Sequence, residues 1–241
     1  MPPRFLVAPE ALLESRAVLV GTELRHLRVR RLRVGDDVVL SDGCGHERRG
    51  VIVALDRARA VITLSPEAAP PRESTLHLVL AQAALKADKM DLVINQVTQL
   101  GVSEIVVFTC ERSLGPSSPD RQSRWERIAR SATKQCQRNT VPSISAAAPF
   151  EQLLGRSEPV RLLFSERESA RRMAHVRDRP AAVLAVVGPE GGFSASEQER
   201  AAACGFLLVG LGARILRAET AAVVAVTLCQ FLWGDLDGRA A

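Results

Sequence analysis

The sequence lacks the features that mark secreted, membrane-spanning and metal-binding proteins. Its first residues have no apolar core of the kind found in a signal peptide, and no apolar run is long enough to span a membrane. The five cysteines are odd in number and scattered, with no C-x-x-C pair, which argues against a disulfide framework and against a zinc site. These absences predict a cytoplasmic protein with reduced thiols and no metal ion.

Lysine is scarce, and arginine supplies nearly all of the positive charge. Only Lys86, Lys89 and Lys134 are lysines among 32 Lys and Arg residues, and the formal net charge is +5. Arginine makes forked contacts with phosphate and stacks on bases, but a GC-rich genome also encodes arginine throughout its proteins. The composition therefore permits an RNA partner without establishing one.

The length and the distribution of proline indicate two domains. At 241 residues, 46% of them hydrophobic, the chain can form one large domain or two modest ones. A proline-rich stretch at 65–71 has the composition of a stiff linker. Before it, three short β-branched runs separated by turn residues are typical of a small β-barrel. We predict a β-rich domain at 1–68, a linker at 69–74 and a second domain at 75–241.

The second domain has the pattern of an α/β fold. A strand at 75–84, a helix with apolar residues at helical spacing from Met90 to Leu100, and a strand at 104–109 follow one another, and this order implies a parallel sheet. Further strands are predicted at 160–165, 181–187 and 206–209. The final helix, over about 219–233, is apolar on all sides, which predicts burial within the domain or against a second subunit.

Two glycine-rich loops follow predicted strands near the C-terminus. The first, at 188–193, precedes a helix that begins with the capping box of Ser194 and Glu197, and the second includes Gly210 and Gly212. Open α/β sheets bind ligands at the carboxyl ends of adjacent strands, so these loops predict the ligand site. Neither loop contains G-x-G-x-x-G or G-K-[ST], and neither has a lysine, which disfavours a dinucleotide or phosphate ligand.

The two loops carry a resemblance to a known family. The sequence G-P-E-G-G-F-S at 188–194, together with L-G-A-R-I-L-R-A-E-T-A at 211–221, closely resembles the paired signature of the RsmE family within the SPOUT class of RNA methyltransferases. The resemblance implies methylation of N3 of a uridine in small-subunit (16S) ribosomal RNA, with S-adenosylmethionine (SAM) as donor. It also implies a C-terminal SPOUT α/β domain with a trefoil knot, an N-terminal PUA-like β-barrel, and a homodimer that forms through the SPOUT domain.

An arginine-rich stretch at 25–33 has two interpretations. It is either a solvated amphipathic segment whose Leu24, Leu27, Val29 and Leu32 face the core, or a surface that grips an RNA backbone. The second is favoured because His26, Arg31 and the following Gly-Asp resemble the H-x-x-x-x-R-x-x-x-G-D run of the family's PUA-like domain. The predicted RNA-binding residues are Arg4, Arg25, His26, Arg30, Arg31, Arg112 and Arg138. Lys134 and Gln137 depart from the family's pattern, which has glutamate and glycine there.

The resemblance also implies the residues of the cofactor site. They are Phe164, Ser165, Val187, Gly188, Pro189, Glu190, Gly191, Gly192, Leu211, Gly212, Ile215, Leu216, Arg217, Thr220 and Ala221. We expect backbone groups of both loops to bind the adenine edge, apolar side chains to pack on its faces, and Gly191 and Gly192 to keep the approach open. The start of the final helix favours the ligand's carboxylate or a developing negative charge.

The predicted chemistry requires that the N3 proton of uracil be removed. Arg217 is expected to stabilise the resulting anion, with Glu190 or Glu219 as the proton acceptor. Alternatively, Arg217 forms an ion pair with one of these carboxylates. Other hypotheses are methylation of a different base or of a ribose 2′-hydroxyl, and a non-catalytic RNA-binding assembly factor. A nucleotide-binding kinase or dehydrogenase is disfavoured by the missing motifs.

Overall fold

A computed structural model describes residues 2–68, 73–113, 119–166, 173 and 179–238. The described residues form two compact units, and each is treated by itself. The first contains the residues up to Glu73 together with 133–141, and the second contains 74–132 and everything from Pro142 onward. Most of the predicted linker lies outside the described residues. Sequence reasoning did not anticipate that 133–141 returns to the first unit.

The first unit is built on a five-stranded sheet. Its strands are β1 (Arg4–Leu6), β2 (Arg16–Leu19), β3 (Asp37–Ser41), β4 (Glu47–Leu55) and β5 (Ala60–Ala68), in the order β1-β3-β4-β5-β2. The β1–β3 pair is parallel and the other pairs are antiparallel. The three β-branched runs are thus confirmed as β3, β4 and β5, while β1, β2 and a 3-10 helix at Pro9–Leu12 were not predicted.

The helix α1 (Gly21–Val29) covers the core of this unit. Leu24 and Leu27 are buried with alternate residues of β3, β4 and β5, as their spacing predicts. Val29 was expected to face the core and is instead exposed, because it lies two residues after Leu27 and therefore on the opposite face of the helix. In β4, a Cβ at Gly50 would meet the Ile62 side chain at 2.5 Å, so glycine is required where β4 and β5 approach.

The second unit is a six-stranded parallel sheet with helices between the strands. Its elements are β6 (His77–Ala83), α2 (Ala87–Gln99), β7 (Glu104–Thr109), α3 (Pro119–Cys136), β8 (Ser143–Pro149), α4 (Phe150–Leu154), β9 (Val160–Phe164), β10 (Ala182–Val187), α5 (Ala195–Ala203), β11 (Leu207–Val209) and α6 (Ala218–Trp233). The last four residues of α3, 133–136, belong to the first unit. The strand order is β11-β9-β10-β6-β7-β8, and every pair is parallel. The predicted α/β class and parallel sheet are confirmed, whereas β8 and α4 were not predicted.

The strand order corrects one expectation about the ligand loops. They were predicted to follow adjacent strands, but β9 lies between β10 and β11 and pairs with both. Strand order depends on long-range pairing, which the local pattern does not reveal. The consequence is that a third segment, at 164–166, joins the two glycine-rich loops at the carboxyl edge of the sheet.

The helix α6 is buried along one face within this chain. Ala222, Ala225, Val226 and Cys229 are fully buried, and the helix packs against α2, β6 and β10. Phe231 is 54% exposed, so the expectation of burial on all sides is not met within the single chain. Burial against a second subunit stays a prediction. Within the described residues, no helix is long and apolar enough to cross a membrane.

Candidate active site

A cavity of about 510 Å³ lies at the carboxyl edge of the second unit's sheet. Its walls come from the ends of β9 and β10, the loop after β11, and the first turns of α2 and α6. Every residue predicted to hold the cofactor lines this cavity except Thr220, which is exposed. Lys89, Phe193 and Ala218, which were not assigned to the cofactor from the sequence, line it as well, and so do Glu166 and Arg214 of the segments that were expected to contact the ligand.

The first glycine-rich loop is shaped by contacts with its own domain. Strand β10 is buried from Val183 to its end at Val187, and at the next residue, Gly188, a Cβ would lie 3.0 Å from the ring of Phe193. Gly192 has φ of +67°, in the left-handed region that favours glycine, and its N–H donates to the carbonyl of Pro189 at 2.9 Å. The predicted capping box of Ser194 and Glu197 is confirmed and begins α5 directly afterwards.

The close neighbours of Gly191 and Gly192 are protein side chains. A Cβ at Gly191 would lie 3.3 Å from the Cβ of Arg112, and one at Gly192 would lie 2.6 Å from Oε1 of Glu166. These glycines therefore allow close packing of the loop against the segments that follow β7 and β9. Gly212 differs, because its φ of +103° requires glycine although a Cβ would meet no atom within 4 Å.

Lys89 joins two of the predicted catalytic carboxylates. Its Nζ lies 3.1 Å from Oε1 of Glu190 and 3.5 Å from Oε2 of Glu219. In the described part of the chain, Lys89 and not Arg217 is the cation within ion-pair distance of these two groups. Arg217 is exposed and precedes α6 as its N-terminal cap residue. The alternative in which Arg217 pairs with Glu190 or Glu219 therefore does not describe this structure.

The same contacts change the protonation behaviour of Glu190 and Lys89. Burial by itself would raise the pKa of Glu190, but its own backbone N–H and the ammonium of Lys89 outweigh burial and lower this pKa. The pKa of Lys89 is raised, chiefly by the hydrogen bond to Glu190 and with a smaller contribution from Glu219. Near neutral pH the Glu190 carboxylate is therefore ionised.

Arg112, predicted to bind RNA, contacts the first glycine-rich loop. Its Nη1 donates to the carbonyl oxygen of Gly191 at 3.1 Å, and its side chain is otherwise exposed. The neighbouring Glu111 donates its backbone N–H to Oε1 of Glu197 at 2.9 Å. The segment after β7 is thus attached both to the loop and to the start of α5.

The remaining predicted RNA-binding residues of α1 and its end are on the surface of the first unit. Arg25, Arg30 and Arg31 are exposed, and Arg31 has φ of +57° just after the helix. His26 is half-buried, and the centroid of its ring lies 5.3 Å from that of the Phe5 ring. Its Nε2 accepts a hydrogen bond from Nε of Arg30 at 2.9 Å. Burial, followed by the charges of Lys134 and Arg30, lowers the pKa of His26, so its ring is neutral near pH 7.

Arg4 and Arg138 are instead buried and paired with carboxylates. Nε and Nη2 of Arg4 both donate to the carboxylate of Glu47, and the Nη2–Oε2 distance is 2.8 Å. Arg4 is only 5% exposed. Arg138 pairs with Glu73 at 2.7 Å, and Glu73 also accepts from the backbone N–H of Asn139 and Thr140. These pairs hold the unit together, so neither guanidinium lies on a surface that an RNA phosphate reaches.

Comparison with known families accounts for both units. The RNA methyltransferase domain family matches residues 72–230, and the RNA methyltransferase PUA domain family matches residues 20–65. Ribosomal RNA small subunit methyltransferase E of Synechocystis is 33% identical over 230 residues, covering 92% of this chain and 75% of that protein. The chain belongs to the RsmE family.

Solved structures of methyltransferases agree with this assignment. The enzyme of Neisseria gonorrhoeae, crystallised bound to S-adenosyl methionine, is 32% identical, with a TM-score of 0.90 over 98% of this chain and 99% of that one. A methyltransferase of Legionella pneumophila in complex with SAM is 27% identical, with a TM-score of 0.88. The RsmE resemblance and the two-domain fold class expected from the sequence are confirmed. The trefoil knot stays a prediction.

Proposed function

We propose that this protein transfers a methyl group from SAM to N3 of a uridine in small-subunit (16S) ribosomal RNA. The observation that carries the proposal is the cavity at the sheet edge, where both RsmE signature segments meet the end of β9. Membership in the RsmE family supports SAM as donor and ribosomal RNA as acceptor, because two similar structures were solved with SAM and a 33% identical relative is named for the small subunit. A ribosomal substrate implies that the protein works in the cytoplasm.

The cavity fits SAM in shape and chemistry. Ile215 lines it and is 83% exposed, so an apolar ligand surface such as an adenine face would bury a large side chain that is otherwise in water. Backbone groups of 188–192 and 211–216 would hold the adenine edge. The first backbone N–H groups of α6, which lack a side-chain cap, would favour the ligand's carboxylate.

The chemistry divides between the cofactor and the chain's own residues. SAM, when bound, supplies a methyl group already activated by its sulfonium. The protein must hold the uracil in line with that methyl group, remove the N3 proton and stabilise the anion. We assign the stabilisation to Arg217 and the proton to Glu190 or Glu219, directly or through a water molecule. The ionised state of Glu190 is compatible with this role.

RNA binding is assigned to exposed basic residues. Arg25, Arg30 and Arg31, with His26 beside them, form a basic surface at the end of α1 that suits a phosphate backbone. Arg112 is proposed to contact RNA next to the cavity. Arg4 and Arg138 are buried in ion pairs and are therefore not assigned to RNA binding.

We also propose that the protein works as a homodimer through its second unit. Phe231 of α6 and Leu92 of the neighbouring α2 are 54% and 45% exposed, although large apolar side chains are usually buried. A second copy packed on this face would cover them, as the SPOUT resemblance implies. Sedimentation of the purified protein would show whether it is dimeric.

The function is tested with small ribosomal subunits from cells that lack this protein. Purified protein and methyl-labelled SAM are added, and the RNA is then digested to nucleosides. Label in 3-methyluridine is the expected result. Label in another nucleoside, or in a 2′-O-methylated ribose, would support the SAM site but show that the methylated group is not N3 of uridine. Absence of label with confirmed SAM binding would support a non-catalytic assembly factor.

A further inference from the structure

Lys89 is placed to connect two walls of the cavity that are far apart in sequence. It lies in the first turn of α2, whereas Glu190 lies in the loop after β10 and Glu219 in the first turn of α6. A single ammonium thus contacts a carboxylate from each of two segments that contain the RsmE signature. No motif in the sequence indicated this contact.

The carboxylate of Glu219 is largely buried, so the ammonium of Lys89 is needed to compensate its charge. The Glu219 side chain is only 12% exposed, and its Oε2 is buried with the Lys89 ammonium 3.5 Å away. An ionised carboxylate in such surroundings is costly unless a cation compensates it. Because both carboxylates contact the same ammonium, they are also close to each other, and like charges at short range repel.

Other charged groups near the cavity do not replace Lys89. Lys86, at the start of α2, acts on Glu190 only as a more distant charge. Arg214 and Arg217 line the cavity from the loop before α6 and are exposed, and Glu166 adds a further carboxylate from the segment after β9. In the described residues, the ion pairs of Glu190 and Glu219 are those made with Lys89.

We propose that Lys89 is a positioning residue of the SAM site. Its ammonium holds the Glu190 loop and the start of α6 at the separation that SAM binding requires, and it compensates the charge on this side of the cavity. This inference rests on the proposed function for the identity of the ligand. Without the ammonium, the two carboxylates repel each other and the walls separate unless Glu190 is protonated. The SAM affinity of such a variant then depends on pH, in a range where the SAM affinity of the wild-type protein does not.

The test measures the Kd of SAM by calorimetry with the full chain at several pH values from 8 down to about 4, the range in which an ordinary glutamate begins to be protonated. Lys89→Met is expected to weaken binding at pH 8 by about tenfold, between the effects typical of exposed and of buried ion pairs. Its affinity should recover as the pH falls. The double variant Lys89→Met with Glu190→Gln should bind more tightly than Lys89→Met at pH 8, and Lys89→Arg should resemble wild type.

Lys86→Met is the matched control, because it removes the same charge from the same end of α2. An affinity of Lys89→Met equal to that of this control, or a loss that is the same at every pH and is not relieved by Glu190→Gln, would overturn the proposal. Lys89→Gln replaces Lys89→Met in the same measurements if the latter does not fold. Failure of the wild-type protein to bind SAM would instead refute the proposed function.

Discussion

The guanidinium of Arg112 donates a hydrogen bond to the carbonyl oxygen of Gly191, with Nη1 3.1 Å from that oxygen. This contact joins the segment after β7, which sequence reasoning assigned to RNA, to the loop assigned to SAM. The Cβ of Arg112 lies where a side chain at position 191 would have to fit. Arg112 therefore both orients a backbone group of the cavity wall and restricts the residue that can occupy it.

Replacing Gly191 with Val should disrupt SAM binding while the fold persists. The added side chain must displace Arg112, and overpacking of this kind costs about 1–3 kcal/mol, which corresponds to about one to two orders of magnitude in Kd. Calorimetric titration with SAM and a thermal melt provide the measurements. Gly155→Ala is the control, since a Cβ there meets its nearest atom at 3.8 Å. Unchanged SAM affinity in Gly191→Val would refute the assignment of this loop.

Arg217→Ala should bind SAM normally and lose turnover. The side chain is exposed, and in the described residues the neighbouring carboxylates pair with Lys89, so its removal leaves the resting site intact. Loss of a group that stabilises a developing anion typically costs about 10²- to 10³-fold in kcat. Single-turnover methylation of small subunits measures this step. Activity equal to wild type would remove Arg217 from the mechanism.

Arg31→Ala should weaken RNA binding without affecting SAM. Removing one phosphate contact is expected to reduce the slope of log affinity against log salt by about 1. Filter binding of small-subunit RNA at several salt concentrations measures both affinity and slope. Arg57→Ala removes an exposed arginine from the β4–β5 turn of the same unit and serves as the control. Equal slopes for the two variants would refute the assignment of RNA binding to the basic surface at the end of α1.

Arg4→Ala should destabilise the protein rather than act only on RNA affinity. It leaves the carboxylate of Glu47, which is 2% exposed, without its arginine. Breaking a buried pair in this way costs about 3–5 kcal/mol in the free energy of unfolding. Denaturant titration measures the loss, and Arg4→Met combined with Glu47→Leu should restore much of it. If the Arg4→Ala variant were fully stable and bound RNA more weakly, Arg4 would instead be an RNA-binding residue.

Acid should weaken the ion-pair cluster of Arg156, Glu104 and Glu158 at the end of the sheet opposite the cavity. Burial alone would raise the pKa of Glu158, but the hydrogen bonds from Arg156 and from the backbone N–H of Glu158 itself lower this pKa. A lowered folded-state pKa means that the pair stabilises above the ordinary carboxyl pKa of about 4.3, and that this stability is lost as the pH falls through the lowered value. Denaturant titration from pH 6 to 3 should show a smaller loss in Glu158→Gln than in wild type, and equal losses would contradict the assignment.

The cavity could be found from the sequence because its main parts are local. The apolar run of β10, the turn around Gly192 and the capping box of Ser194 and Glu197 each depend on a few consecutive residues. Their spacing is also the RsmE signature, so fold class and family followed from the same stretch. Lys89 could have been suspected, since it begins the helix after β6 and a parallel sheet brings all such helix starts to one edge.

The sequence by itself determined most of the segments that become strands and helices, and the glycine turns, because those preferences come from side-chain spacing and backbone freedom over a few residues. Only the tertiary structure decided that β9 lies between β10 and β11, that 133–141 belongs to the first unit, and that Arg4 is buried while Arg31 is exposed. It also brought Lys89 to Glu190 and Glu219. These outcomes depend on contacts between residues distant in the chain, whose energies balance only once the whole domain has packed.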